Sequence, residues 1–210
     1  MPNPQQPPST PLLPPRPRTS FPPPAIRKTL RLLIVPTLFM AITACKFQSQ
    51  PPPAPAIKIG DLAPDFSLSD AQDNTSKPVT LSQLTSQGPV VIIFHRGMNC
   101  AICVEHLLDT ARHAAEFKNA GIQVLAIGPD TLDGMREALR TRETVPFPLL
   151  SDSDDKVAVS YGLKGSKGYL LHGVFVVDKD RRVRLAETSD DPVGTISELI
   201  DAAKTTANLR

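Results

Sequence analysis

The chain has 210 residues, with 23 basic and 21 acidic side chains and a formal net charge of +2. This length suits one ordinary domain with appendages. All of the basic excess lies in the first 45 residues, so the composition excludes the basic surface expected of a nucleic-acid-binding protein.

The N-terminal segment is predicted to be an export signal and not part of the folded domain. Residues 1–26 are rich in Pro, Ser, Thr and Gln and lack the apolar residues needed for a core. The basic stretch RKTLR then precedes an apolar run over residues 32–42, which is shorter than the roughly 20 residues of a transmembrane helix. A charged region followed by a short apolar run and small residues is typical of a secretory signal. Residues 1–44 are therefore predicted to be a Pro-rich leader with a signal peptide.

The stretch ITAC, which ends at Cys45, resembles the bacterial lipobox. In proteins that carry this motif, the cysteine is lipid-modified and becomes the new N-terminus. The resemblance implies that Cys45 is the lipid attachment site and that residues 45–57 form a Pro-rich tether, which reaches roughly 30 Å when extended. The body would then be exported and anchored to a bacterial membrane, facing the periplasm or the outside. The alternative is that Cys45 is an incidental residue of a short apolar helix.

Downstream of the tether, the sequence alternates between buried strand patterns and amphipathic helix patterns. Apolar runs rich in β-branched residues predict strands over 89–94 and 122–128, with an amphipathic helix over 100–119 between them. The later predicted elements are a helix over 130–142, a strand over 147–152, a helix over 155–162, strands over 174–178 and 182–188, and a helix over 192–204. Upstream, residues 59–84 predict short strands and a turn. Residues 58–210 are therefore predicted to form an α/β domain with a mixed central sheet, flanking helices and an N-terminal β extension.

Cys100 and Cys103 are the two cysteines of the body, spaced C-x-x-C at the start of the first long predicted helix. Asn99 is a good N-cap residue, so the pattern predicts both thiols on the first helical turn. The helix dipole and the free N–H groups there lower the pKa of a thiol below its usual value of about 8.5. Two sulfurs at this spacing can also form a disulfide. The spacing therefore predicts a redox-active dithiol.

The residues around the dithiol leave alternatives open. Arg96 and His95 precede it on the same loop and could stabilise a thiolate or a bound substrate. The two cysteines could instead be small core residues, or half of a metal site. A structural zinc site needs four ligands, and the sequence has no second C-x-x-C pair, so neither zinc nor any cofactor is predicted. His106 and His113 are predicted to be solvated on the polar face of the helix.

Three stretches, IGDLAPDFSLSD, VVIIFHRGMNCAICVEHL and VFVVDKDRRVR, resemble motifs of the thioredoxin superfamily, and within it the AhpC/TSA (peroxiredoxin-like) family. The resemblance covers the chain from about Lys58 to Ala203. It implies a thioredoxin-like fold and a thiol-dependent oxidoreductase whose catalytic residues are Cys100 and Cys103. The implied substrates are peroxides or protein disulfides, with a thiol reductant as the second partner.

The sequence departs from the family patterns at the residues that would decide the mechanism. Aligned on Cys103, Arg96 occupies the position of the peroxiredoxin proline and Cys100 that of its threonine. A peroxidase would therefore attack with Cys103, whereas disulfide exchange would begin with Cys100, which lies nearer the helix N-terminus. His172 stands where thioredoxins carry a cis-proline.

His172 raises an alternative function. It could face the dithiol across the sheet, and copper-delivering relatives of the thioredoxin fold use two cysteines and a histidine from about this region. The alternative hypothesis is thus a non-enzymatic copper chaperone that uses Cys100, Cys103 and His172. A histidine that only packs against or caps the loop, and a membrane-tethered interaction domain with an inactive dithiol, are the remaining possibilities.

Overall fold

The computed structural model of the protein describes residues 57–75, 77–165, 168–190 and 196–207. The predicted leader, the signal peptide, Cys45 and nearly all of the tether lie outside these described residues. Within these ranges, the helices are all too short or too polar to cross a lipid bilayer.

The described residues alternate between strands and helices, as the sequence pattern predicts. In chain order the elements are β1 Ser67–Leu68, β2 Val79–Thr80, α1 Leu81–Thr85, β3 Val90–Phe94, α2 Ala101–Arg112, α3 Ala114–Asn119, β4 Gln123–Gly128, α4 Leu132–Leu139, β5 Leu149–Ser151, α5 Lys156–Ser160, β6 His172–Val177, β7 Val183–Ser189 and α6 Ile196–Ala207.

Five of the strands form a mixed central sheet in the order β5-β4-β3-β6-β7. Strands β3, β4 and β5 run parallel, whereas β6 lies antiparallel to β3 and to β7. Phe94, the last residue of β3, pairs with Gly173 near the start of β6. The loop that follows β3 and the segment that precedes β6 therefore lie side by side at the same end of the sheet. The predicted α/β fold with a mixed sheet is confirmed.

The sheet is covered on both faces, which explains the continuous apolar run of β3. One face packs against the N-terminal extension, α1 and α5, and its centre is the ring cluster of Phe94, Tyr161 and Phe175. The Tyr161 ring lies 5.0 Å from each of the two phenylalanine rings, and its hydroxyl donates to the Pro64 carbonyl at 2.9 Å. The other face packs mainly against α2, α3 and α6, with Phe117 buried among them. The N-terminal extension is thus an integral layer of the domain.

Two local predictions differ from the structure. The predicted helix over 100–119 is interrupted at His113, whose backbone leaves the helical region and whose N–H group bonds to the Thr110 carbonyl at 3.1 Å. This tightened last turn ends α2, and α3 starts directly after His113. In the extension, the expected short strands are present as β1 and β2, which pair antiparallel, but the residues directly after β2 form the helix α1, where only strands and a turn are predicted.

Candidate active site

The predicted dithiol lies at the N-terminus of α2 as a disulfide. Cys100 and Cys103 are bonded to each other, with their Cα atoms 5.2 Å apart. The loop of residues 95–99 connects the end of β3 to the first turn of α2. The two cysteines therefore lie at the end of the sheet where β6 begins. The strand-loop-helix context read from the sequence is therefore the context in which the two sulfurs lie.

The predicted N-cap at Asn99 is wrong. The cap is Cys100 itself, whose backbone is extended and whose Sγ accepts a hydrogen bond from the Cys103 N–H group at 3.3 Å. Asn99 is exposed in a turn that the Cys100 N–H group closes onto the Gly97 carbonyl at 3.2 Å. Because this turn delays the start of the helix by one residue, a sulfur takes the capping position that an amide oxygen was expected to fill.

The two sulfur-bearing residues have different surroundings. Cys100 is half-buried at the positive end of a 12-residue helix. Cys103 is only 1 % exposed, although Ile102 beside it is 62 % exposed. After reduction, the N–H group of Cys103 and the helix dipole would both stabilise a thiolate on Cys100. An external reactant therefore reaches Cys100 more readily than Cys103.

His172 lies next to the buried sulfur. As the first residue of β6 it is 3 % exposed, and its Nε2 atom lies 3.7 Å from the Cys103 Sγ atom. The ligand atoms of Cys100, Cys103 and His172 lie within 4.8 Å of one another. The antiparallel pairing of β6 with β3 produces this contact, because it places the start of β6 under the N-terminus of α2. The imidazole can exchange a proton with Cys103 or, with both thiols reduced, share a metal ion with them.

Arg96 is exposed at the rim of the same loop. Its guanidinium donates to the Asp190 carbonyl at 3.3 Å and lies 4.8 Å from the centre of the Tyr169 ring. The Tyr169 hydroxyl bonds to the Asp190 side chain, and this bond raises the pKa of Tyr169. These contacts link Arg96 to the segment that follows β7. Its positive charge therefore lies on the same loop that leads to Cys100.

His95 is a buried residue of the site whose environment the sequence did not reveal. Its Nδ1 atom accepts the Gly97 N–H group at 3.2 Å, and its Nε2 atom has no hydrogen-bond partner among the described residues. Burial lowers the pKa of His95 to about 4, against a smaller opposing effect of the Asp130 carboxylate. The ring is therefore neutral at pH 7, so His95 supplies no positive charge for a thiolate and instead supports the loop backbone.

The space for His95 depends on Gly128 at the end of β4. A Cβ atom on Gly128 would lie 2.2 Å from the His95 Cε1 atom, a distance that no packing can accept. The only signal of this contact in the sequence is a glycine at the end of a buried apolar run. Such a glycine can equally mark a bulge or a bend, so it does not identify the contact with His95.

The two histidines of the long predicted helix have different environments. His113 pairs with Glu116 at 2.8 Å on a surface where its side chain is 39 % exposed, as expected for a solvated residue. The prediction for His106 is wrong: it is half-buried, which lowers its pKa, and its Nε2 atom is buried without a hydrogen-bond partner among the described residues.

Comparison with known proteins places the domain in a family. The model of the AhpC/TSA family matches residues 59–186. A protein of Mycobacterium tuberculosis that is named as a peroxiredoxin is 31% identical over 147 residues, which cover 67% of this chain and 90% of the relative. Mouse peroxiredoxin-2 is 27% identical over 145 residues, which cover 65% of this chain and 72% of the relative.

Solved structures agree with these sequence relatives. The peroxidoxin BcpB of Mycobacterium tuberculosis has 30% sequence identity and a TM-score of 0.61, with 73% of this chain and 99% of that chain covered. The AhpC protein of the same organism has a TM-score of 0.62 over 74% of this chain and 97% of that chain. Its sequence identity is 20%, so this second likeness concerns the fold alone.

The buried His95 should make the stability of the protein depend on pH. Its pKa is about 4 in the folded state against an ordinary value of 6.5, so between these values the unfolded chain binds a proton that the folded chain excludes. Stability should therefore fall as the pH falls from 6.5 towards 4, by up to about 3 kcal/mol relative to His95→Gln. Urea denaturation of both proteins at pH 7, 5.5 and 4.5 measures this difference. The half-exposed His113→Gln variant is the matched control, and parallel pH profiles for wild type and His95→Gln would contradict the prediction.

Proposed function

We propose that this chain, which belongs to the AhpC/TSA family, is a thiol peroxidase in which Cys100 attacks the peroxide and Cys103 resolves the product. Membership of the family makes it a thiol-dependent oxidoreductase. The observation that carries the finer assignment is the asymmetry between the sulfurs. Cys100 caps α2 and is accessible, whereas Cys103 is buried beside His172. Relatives named as peroxiredoxins support a peroxide as the oxidant.

The oxidative half-reaction begins at the accessible sulfur. The Cys100 thiolate attacks one peroxide oxygen, an S–O bond forms, the O–O bond breaks, and the alkoxide or hydroxide leaves as an alcohol or water after taking up a proton. Cys100 is then a sulfenic acid. Cys103 transfers its proton to His172, 3.7 Å away, and its thiolate attacks the Cys100 sulfur. The S–O bond breaks, the departing hydroxide takes up a proton to leave as water, and the disulfide remains.

The reductive half-reaction uses the same asymmetry in reverse. A thiolate of the reductant attacks the more accessible Cys100 sulfur and forms a mixed disulfide, and Cys103 departs as a thiolate next to His172. A protonated imidazole there stabilises the leaving thiolate and can return its proton. A second thiol of the reductant then releases Cys100 and leaves as a disulfide. One buried histidine thus serves the resolving sulfur in both directions.

This assignment differs from the alignment on Cys103, which would make Cys103 the attacking residue of a peroxidase. A thiol with 1 % exposure presents little surface to a peroxide, and the capping N–H group points at the other sulfur. Burial also disfavours a thiolate on Cys103 until His172 takes up its proton, whereas a helix N-terminus favours a thiolate on Cys100. These physical differences outweigh the alignment.

Single substitutions of the two cysteines test the proposal. Cys103→Ser should consume one equivalent of hydrogen peroxide, accumulate a sulfenic acid on Cys100 that a dimedone probe traps, and lose turnover with a dithiol reductant. Cys100→Ser should lose peroxide consumption almost completely, because the remaining thiol is buried. Mass spectrometry of the trapped peptide identifies the oxidised residue. A sulfenic acid on Cys103 would reverse the roles, and protein partners captured by Cys103→Ser without any reaction with peroxide would favour disulfide exchange.

A copper chaperone remains the second candidate because three suitable ligand atoms lie within 4.8 Å of one another. Two thiolates and one imidazole suit Cu(I). Reduced protein titrated with Cu(I) against a competing chelator should bind one equivalent, and His172→Ala should weaken binding at least about tenfold if the imidazole is a ligand. The disulfide form is the matched control, because its sulfurs are bonded to each other. Failure of the reduced protein to compete with the chelator would remove this function.

We further propose that the domain works outside the cytoplasm, anchored through a lipid on Cys45. The signal-like segment before Cys45 and the presence of one C-x-x-C pair in an otherwise cysteine-free body support this location. In a bacterial host, the wild-type chain should fractionate with membranes and enter a detergent phase, whereas Cys45→Ser should not. Cys100→Ser is the matched control for loss of one thiol. Identical fractionation of wild type and Cys45→Ser would contradict the anchor.

A further inference from the structure

We infer that Asp130 and Arg142 are positioning residues for Cys100. Together they hold the backbone N–H group and the backbone carbonyl of Met98, two residues before the attacking sulfur, and this pair of contacts is called the clamp below. The inference rests on the proposed role of Cys100 as the attacking thiolate. It concerns two charged residues outside the cysteine motif, one after the end of β4 and the other after the end of α4.

The clamp holds both backbone polar groups of Met98, its N–H group and its carbonyl. The Met98 N–H group donates to the Asp130 Oδ2 atom at 2.8 Å. The Met98 carbonyl accepts a hydrogen bond from the Arg142 guanidinium. The Met98 side chain is 4 % exposed and packs with Ala71 and Met135, so the residue is held by its backbone and by its side chain.

Gly97 makes the approach of Asp130 possible. Its φ angle of +111° lies in a region that L side chains rarely adopt, and a Cβ atom there would lie 3.2 Å from the Asp130 Oδ2 atom. The carboxylate therefore lies directly against the backbone of the loop. Asp130 is itself attached to β5, because its carbonyl accepts the Ser151 hydroxyl at 2.7 Å.

The clamped segment leads directly to the capping sulfur. The Cys100 N–H group donates to the Gly97 carbonyl at 3.2 Å, and the Cys100 Sγ atom accepts the Cys103 N–H group at 3.3 Å. The position of the Met98 peptide thus fixes the turn, and the turn fixes the direction of the sulfur relative to the helix N-terminus. A loose loop would let the sulfur move away from the N–H group that stabilises its thiolate.

The charged and titratable groups near the loop allow the clamp to be separated from simple electrostatics. Among the described residues they are Asp130, Arg142 and the neutral His95 around the backbone, Arg96 with Tyr169 and Asp190 at the rim, and His172 and Cys103 beside the sulfur. Loss of a nearby carboxylate by itself should favour a thiolate and lower the pKa of Cys100. Loss of the clamp should disfavour the thiolate and raise that pKa, so the two explanations predict opposite signs.

The test measures the pH dependence of alkylation at Cys100 in the full chain carrying Cys103→Ser. Iodoacetamide labelling followed by mass spectrometry of the Cys100 peptide gives the rate at each pH, and the midpoint of the profile reports the thiol. Asp130→Ala should raise this midpoint by about one unit towards 8.5, with a corresponding loss of up to about tenfold in the rate at pH 7. Asp130→Asn, whose amide oxygen can still accept the Met98 N–H group, should restore the parent midpoint or lower it slightly.

Two controls separate positioning from folding. Asp133→Ala removes an acidic side chain on α4 that is 97 % exposed and should leave the midpoint unchanged. Should Asp130→Ala fail to fold, as judged by near-ultraviolet circular dichroism, Gly97→Ala replaces it, because it changes no charge but places a Cβ atom 3.2 Å from the Asp130 Oδ2 atom. This variant should raise the midpoint, whereas Gly121→Ala, at a glycine that also has a positive φ but has no atom within 4 Å of the added Cβ, should not.

The outcomes separate the activation of Cys100 from the effect of the clamp on it. A parent midpoint near 8.5 would overturn the activated Cys100 of the proposed function, and the clamp with it. A low parent midpoint that Asp130→Ala leaves unchanged or lowers would overturn the clamp alone. A raised midpoint in Asp130→Ala with recovery in Asp130→Asn is the result that the clamp requires.

Discussion

The antiparallel pairing of β3 with β6 is the constraint on which the candidate active site depends. It sets the end of β3, which leads to the two cysteines, beside the start of β6, which carries His172. Leu163 packs closely against β6 at this end of the sheet, which requires Gly173, because a Cβ atom there would lie 2.7 Å from a methyl group of Leu163. Register, a small residue and a buried imidazole therefore act together to bring His172 to within 3.7 Å of the Cys103 sulfur.

The two sulfurs of the C-x-x-C motif differ chemically because the first turn of α2 runs from the protein surface at Cys100 into the core at Cys103. Cys100 lies where N–H groups point outward and solvent approaches, so a negative charge there is stabilised. Cys103 lies one turn further in, against the sheet, where a charge needs a partner such as His172. The division of labour in the proposed reaction follows from this difference in environment, which the motif alone does not contain.

Much of the fold could be predicted from the sequence, because strong periodic patterns reflect the two-sided burial of the sheet. The continuous apolar run of β3 and the alternation of strands with helices gave the α/β class and the mixed sheet. The interruption at His113 and the short helix α1 were missed, because each depends on a few local backbone bonds that leave no periodic signal. The export signal and the anchor at Cys45 are predictions from the sequence that concern residues outside the described part.

What the sequence by itself determined is the chemistry that is present: two thiols at C-x-x-C spacing, placed between a buried strand and an amphipathic helix. Tertiary structure decided which sulfur is accessible, that Cys100 and not Asn99 caps the helix, and that His95 is buried and neutral. It also decided that Asp130, in the loop after β4, reaches the loop of Met98. The physical reason is that exposure, pKa and hydrogen bonding arise from contacts between residues distant in the chain, whereas a motif records only its own neighbours.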